Sequence, residues 1–207
     1  GAVNLLKGMS AAPVGYYHVT SPPTLVDGKL VIGGWVTDGQ TTGEPSGVIR
    51  AFDAITGQFA WAWDMGQPDK QSEPEPGKTY TPGTPNSWAP MSADEKLGIV
   101  YVPMGNATPD YHGGHRSPAM DQYSSAVVAL DAKTGKPRWH FQTTHHDLWD
   151  YDVPSQPVLI NLTDGRPALL QPTKRGEIFM LDRRTGKPIA EVTEKRVPVS
   201  DLQAEPF

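Results

Sequence analysis

The sequence contains no cysteine. Disulfides and thiol chemistry are therefore excluded, and packing and hydrogen bonds must hold the fold. No apolar run approaches the ~18 residues of a membrane-spanning helix, so no spanning segment is expected, and no signal-peptide pattern is present. Basic clusters are also missing. Lys plus Arg number 18 against 23 Asp plus Glu, the formal net charge is −5, and no basic run exceeds two residues. Nothing in those numbers suggests a nucleic-acid surface.

Turn-forming residues are abundant. Gly and Pro number 21 each in 207 residues, which suits many short strands joined by turns. The hydrophobic share of 37% is enough for a packed core in one or two domains. The chain begins at Gly1 and closes on Gln203-Ala204-Glu205-Pro206-Phe207 with no obvious final element, and it reads as a piece of something longer.

Strand and turn signals then repeat. Leu25-Val26 and Leu30-Val31-Ile32 flank Asp27-Gly28, which reads as a hairpin. Val48 to Asp53 turns at Thr56-Gly57 into Phe59 to Trp63. Trp88 to Met91 and Leu97 to Val102 flank Ala93 to Lys96. Ala126 to Asp131 then turns at Thr134-Gly135 into Lys136 to Phe141. A third copy runs from Pro157 to Ala190, with turns at Asp164-Gly165 and Thr185-Gly186. The opening Tyr16, Tyr17 and His18 pad a sheet or line a site.

One turn recurs in all three copies as Asp, two residues, then Thr-Gly: Asp53 to Gly57, Asp131 to Gly135 and Asp182 to Gly186. The Asp side chain can accept backbone N–H groups there, while Gly supplies the positive φ. Trp61 and Trp139 stand four residues beyond their glycines, where an indole can seal the seam to a neighbouring sheet; the third copy has Ala190 there. Four-stranded sheets repeated radially make an all-β propeller. Approximate blades are 22–64, 87–144 and 155–192 of a single propeller domain over 1–207. Closed propellers have about four to eight blades, so three make a partial one. The long loops 65–86 and 103–124 read as rim loops that shape a pocket.

The densest chemistry lies in Thr144 to Pro154, where three carboxylates, two imidazoles, an indole and a phenol fall within eleven residues. It reads as a site, or as a packing corner with Trp149 as plug and Asp150 as turn cap. Asn106 follows a strand directly; its amide oxygen suits a hard cation, or it serves as a simple Asn turn. Asp38 leaves another strand end and could give the same cation a carboxylate. Trp88 beside Asn86 and Ser87 reads in isolation as a seam tryptophan. Lys174-Arg175 could meet an anion in a central pocket or face solvent. His112 and His115 have a zinc-like spacing but no clear further ligands.

Taken in order, several runs resemble the pyrroloquinoline-quinone (PQQ) dependent dehydrogenases with an eight-bladed propeller, closest to the membrane-bound quinoprotein glucose dehydrogenase branch. The runs are Glu44 to Arg50, Pro85-Asn86-Ser87-Trp88-Ala89-Pro90, His145-His146-Asp147-Leu148-Trp149-Asp150 and Lys174 to Phe179. The resemblance implies that Asp147 is the catalytic base and that Lys174 contacts the quinone carbonyls. It implies that Trp88 is the floor under the cofactor and Asn106 a metal ligand. Asp38 is the matching acidic metal ligand, with Glu44 as the alternative, and His146 tunes the base or touches sugar hydroxyls. The implied cofactors are PQQ with Ca2+ or Mg2+. The implied reaction is oxidation of an aldose, D-glucose to glucono-1,5-lactone, with ubiquinone as acceptor on the periplasmic side of a bacterial inner membrane. A polyol or alcohol substrate and a non-catalytic scaffold are the alternatives, and the remaining blades would be supplied by the rest of a longer chain.

Overall fold

A computed structural model of the chain describes residues 2–196. Three antiparallel sheets stand side by side. The first has the order β2-β3-β5-β6, from Thr24–Val26, Lys29–Ile32, Ile49–Asp53 and Phe59–Trp63. The second is β7-β8-β9-β10, from Ser92–Asp94, Ile99–Pro103, Ala126–Asp131 and Pro137–Gln142. The third is β11-β12-β13, from Val158–Asn161, Pro167–Pro172 and Ile178–Asp182. β1 (Tyr17–His18) and β4 (Trp35–Val36) form a separate small antiparallel pair.

The middle sheet is buried on both faces, and side-chain alternation shows how. On β8 and β9, Val100, Val102, Val128 and Leu130 face the first sheet, packing with Val31, Ile49, Ala51 and Trp61. Ile99, Tyr101, Val127 and Ala129 face the third sheet, against Leu169, Leu181 and Phe179. Successive strand residues point to opposite faces, so a strand covered on both sides must be apolar throughout.

The repeated turns form as expected. Asp53 Oδ1 accepts from the N–H groups of Ile55 and Thr56 and from the Thr56 hydroxyl, at 3.0, 2.7 and 2.9 Å. Asp131 repeats this set with Lys133 and Thr134. Gly57, Gly135 and Gly186 all have φ near +70°, at 72°, 74° and 71°. The seams also form. A Cβ on Gly135 would lie 2.5 Å from the Trp61 ring, and one on Gly186 would lie 2.5 Å from that of Trp139. Trp61 further donates its indole N–H to the Ala132 carbonyl at 2.9 Å.

Three details differ from the sequence reading. The segment Trp88 to Met91 is loop, and the strand starts at Ser92. Among the described residues, the fourth strand of the third copy is reduced to one bridge, Leu181 with Pro188. A short helix, α1 (Pro118–Tyr123), lies within loop 103–124, its Ser117 cap accepting from Met120 N. No described helix is long and apolar enough to cross a membrane.

Candidate active site

The loops at one end of the sheets are laced together by the backbone. Gly105 N donates to Asn86 O at 2.7 Å, Ser125 N to Gly105 O at 3.0 Å and Val153 N to Met104 O at 3.1 Å. The β6–β7, β8–β9 and β10–β11 connections therefore share one platform. Three of the four described non-glycine residues with positive φ sit in these loops: Ser125 (46°), His146 (42°) and Asp150 (59°). Such conformations cost energy and persist only where their surroundings enforce them.

Lys174, in the β12–β13 turn, reaches this platform. Its ammonium donates to the Asp150 carbonyl and to Asp150 Oδ1 at 2.9 Å each, and to Asp152 Oδ2 at 3.0 Å. It also stands 6.0 Å from the centre of the Trp88 ring. Burial works against its charge, but the Asp152 charge and the bonds to both aspartates outweigh burial and raise its pKa. The Trp88 indole N–H donates to Asp152 Oδ2 at 3.0 Å. The Trp88 carbonyl is held by the hydroxyls of Thr20 and Ser21 at 2.7 and 2.5 Å.

Further carboxylates gather beside this group. Asp38 Oδ2 accepts from the Asn86 amide at 3.0 Å. Asp110 N donates to the Asp38 carbonyl at 3.1 Å. Burial first, then the charges of Asp38, Asp150 and Asp152, push the Asp110 carboxyl up to about 8. Burial raises Asp152 to about 6 despite Lys174, and burial raises Asp38 as well. Asp110 Oδ1 and Asn86 Oδ1 are buried and have no hydrogen-bond partner among the described residues. A buried oxygen without a donor is costly unless something else occupies it.

The expected residues divide between two places. Lys174, Trp88 and Asp38 lie in this cluster. Asn106 is fully buried beneath it and is largely spent on its own loop. Its amide oxygen accepts from Ala107 N at 3.0 Å, and its amide nitrogen donates to the Asp110 and Asp147 carbonyls at 2.9 and 3.0 Å. Asp147 is 0% exposed. Its carboxylate accepts from the Ser125 hydroxyl at 2.6 Å, Trp149 N at 2.9 Å and Tyr151 N at 2.7 Å, which fixes the loop from within. His146 points toward α1, with Nδ1 3.1 Å from Asp121 Oδ1. Glu44 is buried and accepts from Thr41 N and the Thr41 hydroxyl. The His112 and His115 rings stack 5.7 Å apart, and His115 pairs with the Thr108 carbonyl.

The buried oxygens of Asn86 and Asp110 that accept no hydrogen bond, with Asp38 adjacent, fit a hard divalent cation by donor chemistry. Among the described residues, no group of three or more His, Cys, Asp or Glu side chains is arranged to hold a metal. The chain thus offers part of a coordination shell rather than a closed cage. The flat Trp88 ring beside the Lys174 ammonium fits a planar anionic cofactor.

Antiparallel sheets set side by side, with an indole, an ammonium and clustered carboxylates at one end, define a partial propeller with a polar platform of the kind that can hold a planar ligand and a cation. A family profile described as the PQQ glucose/ethanol/alcohol dehydrogenase β-propeller domain matches residues 1–207. The chain belongs to this family. It is 52% identical over 202 residues to the glycerol dehydrogenase large subunit of Gluconobacter oxydans, covering 96% of this chain and 27% of that one. It is 47% identical over 201 residues to the quinoprotein glucose dehydrogenase of Escherichia coli, covering 96% and 25%. Among solved structures, the quinohemoprotein alcohol dehydrogenase of Comamonas testosteroni superposes with a TM-score of 0.70 at 30% identity, over 95% of this chain and 31% of that one. The chain spans about a quarter of the length of these curated relatives.

Proposed function

We propose that this chain forms the catalytic face of a longer quinoprotein that oxidises a hydroxyl group of a sugar or polyol. The observation that carries the reading is the Lys174 ammonium, held by Asp150 and Asp152 beside the Trp88 ring. Trp88 offers a flat apolar face for a planar cofactor. Lys174 sets a fixed positive charge where negative charge develops on a reduced carbonyl, and a preorganised charge needs no reorganisation during the reaction. Asp38, Asp110 and Asn86 would hold a divalent cation, Ca2+ or Mg2+, with Asn106 shaping the loop beneath. The chemistry that PQQ supplies when bound is hydride acceptance, and the cation supplies polarisation of its carbonyls.

The proton acceptor in this reading is Asp150, in place of the Asp147 expected from the motif. A general base needs an oxygen that the substrate hydroxyl can reach. Asp147 is sealed under the loop with three donors already on it. The Asp150 side chain is 31% exposed and touches Lys174. Asp150 takes the hydroxyl proton as hydride leaves the adjacent carbon, while Asp147 and His146 position the loop.

Among aldoses, the reaction is D-glucose to glucono-1,5-lactone, with electrons passing to ubiquinone at the periplasmic side of the inner membrane. The quinoprotein glucose dehydrogenase relative supports glucose as the substrate in that reading. A polyol substrate is favoured by the higher identity to the glycerol dehydrogenase subunit. The test uses the full-length protein expressed without cofactor. PQQ with Ca2+ or Mg2+ is added, and dye reduction is followed over glucose, other aldoses, glycerol, larger polyols and ethanol. Activity that requires both additions and is strongest on aldoses supports the glucose reading. Activity on polyols alone moves the substrate and keeps the chemistry. No reduction with any of them leaves a scaffold.

A further inference from the structure

We infer that Asp152 is the positioning residue that holds the cofactor floor and the cofactor cation in one fixed relation. Its carboxylate joins three separate connections. Oδ2 accepts the Trp88 indole N–H at 3.0 Å and the Lys174 ammonium at 3.0 Å. Oδ1 accepts Asn106 N at 2.7 Å. These partners lie 64, 22 and 46 residues away in sequence. Asp152 itself is 5% exposed.

The surroundings are built for this approach. Gly105 passes so close that a Cβ there would lie 3.1 Å from Asp152 Oδ1. A side chain at 105 would press on the carboxylate that holds Asn106. Trp88 has its backbone carbonyl anchored by Thr20 and Ser21, so the bond to Asp152 fixes the remaining freedom, the tilt of the ring. Lys174 carries a flexible four-carbon stem, and two aspartates fix its head. Asp150 is the outer of the two and Asp152 the inner. Loss of Asp152 would free the ring and take one of three hydrogen bonds from the ammonium, leaving Lys174 on Asp150 alone.

This inference rests on the reading of Trp88 and Lys174 as cofactor contacts. The test uses the full-length protein, with PQQ affinity measured by quenching of intrinsic fluorescence at saturating Ca2+, and a thermal melt to check folding. Asp152→Ala should weaken PQQ binding about 30-fold, the scale of losing charge-assisted hydrogen bonds. Asp152→Asn keeps one acceptor oxygen, enough for Asn106 N or for the Trp88 indole but not both, and should recover only part of that affinity. In a Trp88→Phe background, where the indole N–H is gone, Asp152→Asn should add less than it does alone. Wild-type affinity in both folded Asp152 variants, or additive effects in the double variant, would overturn the inference. So would full recovery of Asp152→Asn on raising Ca2+ further, because that behaviour marks a metal ligand. Absence of PQQ binding by the wild type would instead refute the functional reading, and this inference with it.

Discussion

The two ends of the same strands use aspartate in opposite ways. At the turn end, Asp53, Asp131 and Asp182 each sit a few residues from their own donors. Hydrogen bonds from Thr56, its N–H first, hold the exposed Asp53 carboxyl below the usual carboxylate range. At the loop end, Asp38, Asp110 and Asp152 are drawn out of water and crowded together, and burial raises all three. Local donors stabilise the ionised form, whereas desolvation and like charges oppose it. The turn end therefore serves the fold. The loop end stores an electrostatic demand that a proton, a cation or a ligand can meet, as functional sites commonly do.

Substitutions at the two ends should separate stability from chemistry. Trp61→Ala removes the fully buried indole that seals the first seam, and should cost about 3–5 kcal/mol in urea unfolding of the full-length protein. Cofactor affinity in the surviving folded fraction should be unchanged; a parallel loss of affinity would blur the division. Lys174→Ala should lower turnover about 100-fold to 1000-fold with little change in the unfolding midpoint. Asp150→Asn should lower kcat about 100-fold. Asp147→Asn should instead destabilise by about 1–3 kcal/mol, because one acceptor oxygen cannot satisfy three donors. The reverse pattern, with Asp147→Asn abolishing turnover in a stable protein, would return the base to Asp147.

pH should move the two ends in opposite directions. Asp110 and Asp152 keep protons in the folded state that an unfolded chain releases near pH ~4. Their stabilising contribution is complete below that value and is lost as pH rises through about 6 for Asp152 and about 8 for Asp110. Asp53 has the opposite sign: its contribution is present above the ordinary carboxylate pKa and is lost as pH falls through its lowered folded value. Melting temperature of the metal-free protein should therefore decline from pH 5 to pH 8, and Asp110→Asn should flatten the upper part of that decline. The smallest effect is expected at a single turn: Asp131→Ala should cost about 1 kcal/mol, by analogy with loss of a capping side chain.

The turn end was legible in the sequence because its determinants are local. Asp, Thr and Gly within five residues define the turn, and a Trp four residues on meets the next sheet's glycine, as Trp61 and Gly135 do. Helix α1 was missed although Ser117-Pro118 carried an N-cap signal with Pro at the first position. The site was only half legible. Lys174 and Trp88 were marked by motifs. The partners that give them a chemical setting were not: Asp150 is 24 residues from Lys174, and Asp152 is 64 residues from Trp88. Contacts at such separations are set by how neighbouring blades stack. Within the acidic loop, no local signal distinguishes the Asp that turns inward. The donors on Asp147, at Trp149 N, Tyr151 N and Ser125, emerge only from the folded backbone.

The most direct measurement is a PQQ titration of three full-length proteins at fixed Ca2+: wild type, Asp131→Ala and Lys174→Ala. Division of labour between the two ends predicts saturable binding by the wild type and the same affinity within about threefold for Asp131→Ala, despite its lower stability. It predicts binding weakened at least about tenfold for Lys174→Ala, the scale of a lost hydrogen bond to a charged group. Equal affinity in all three, or no binding by the wild type, would contradict it.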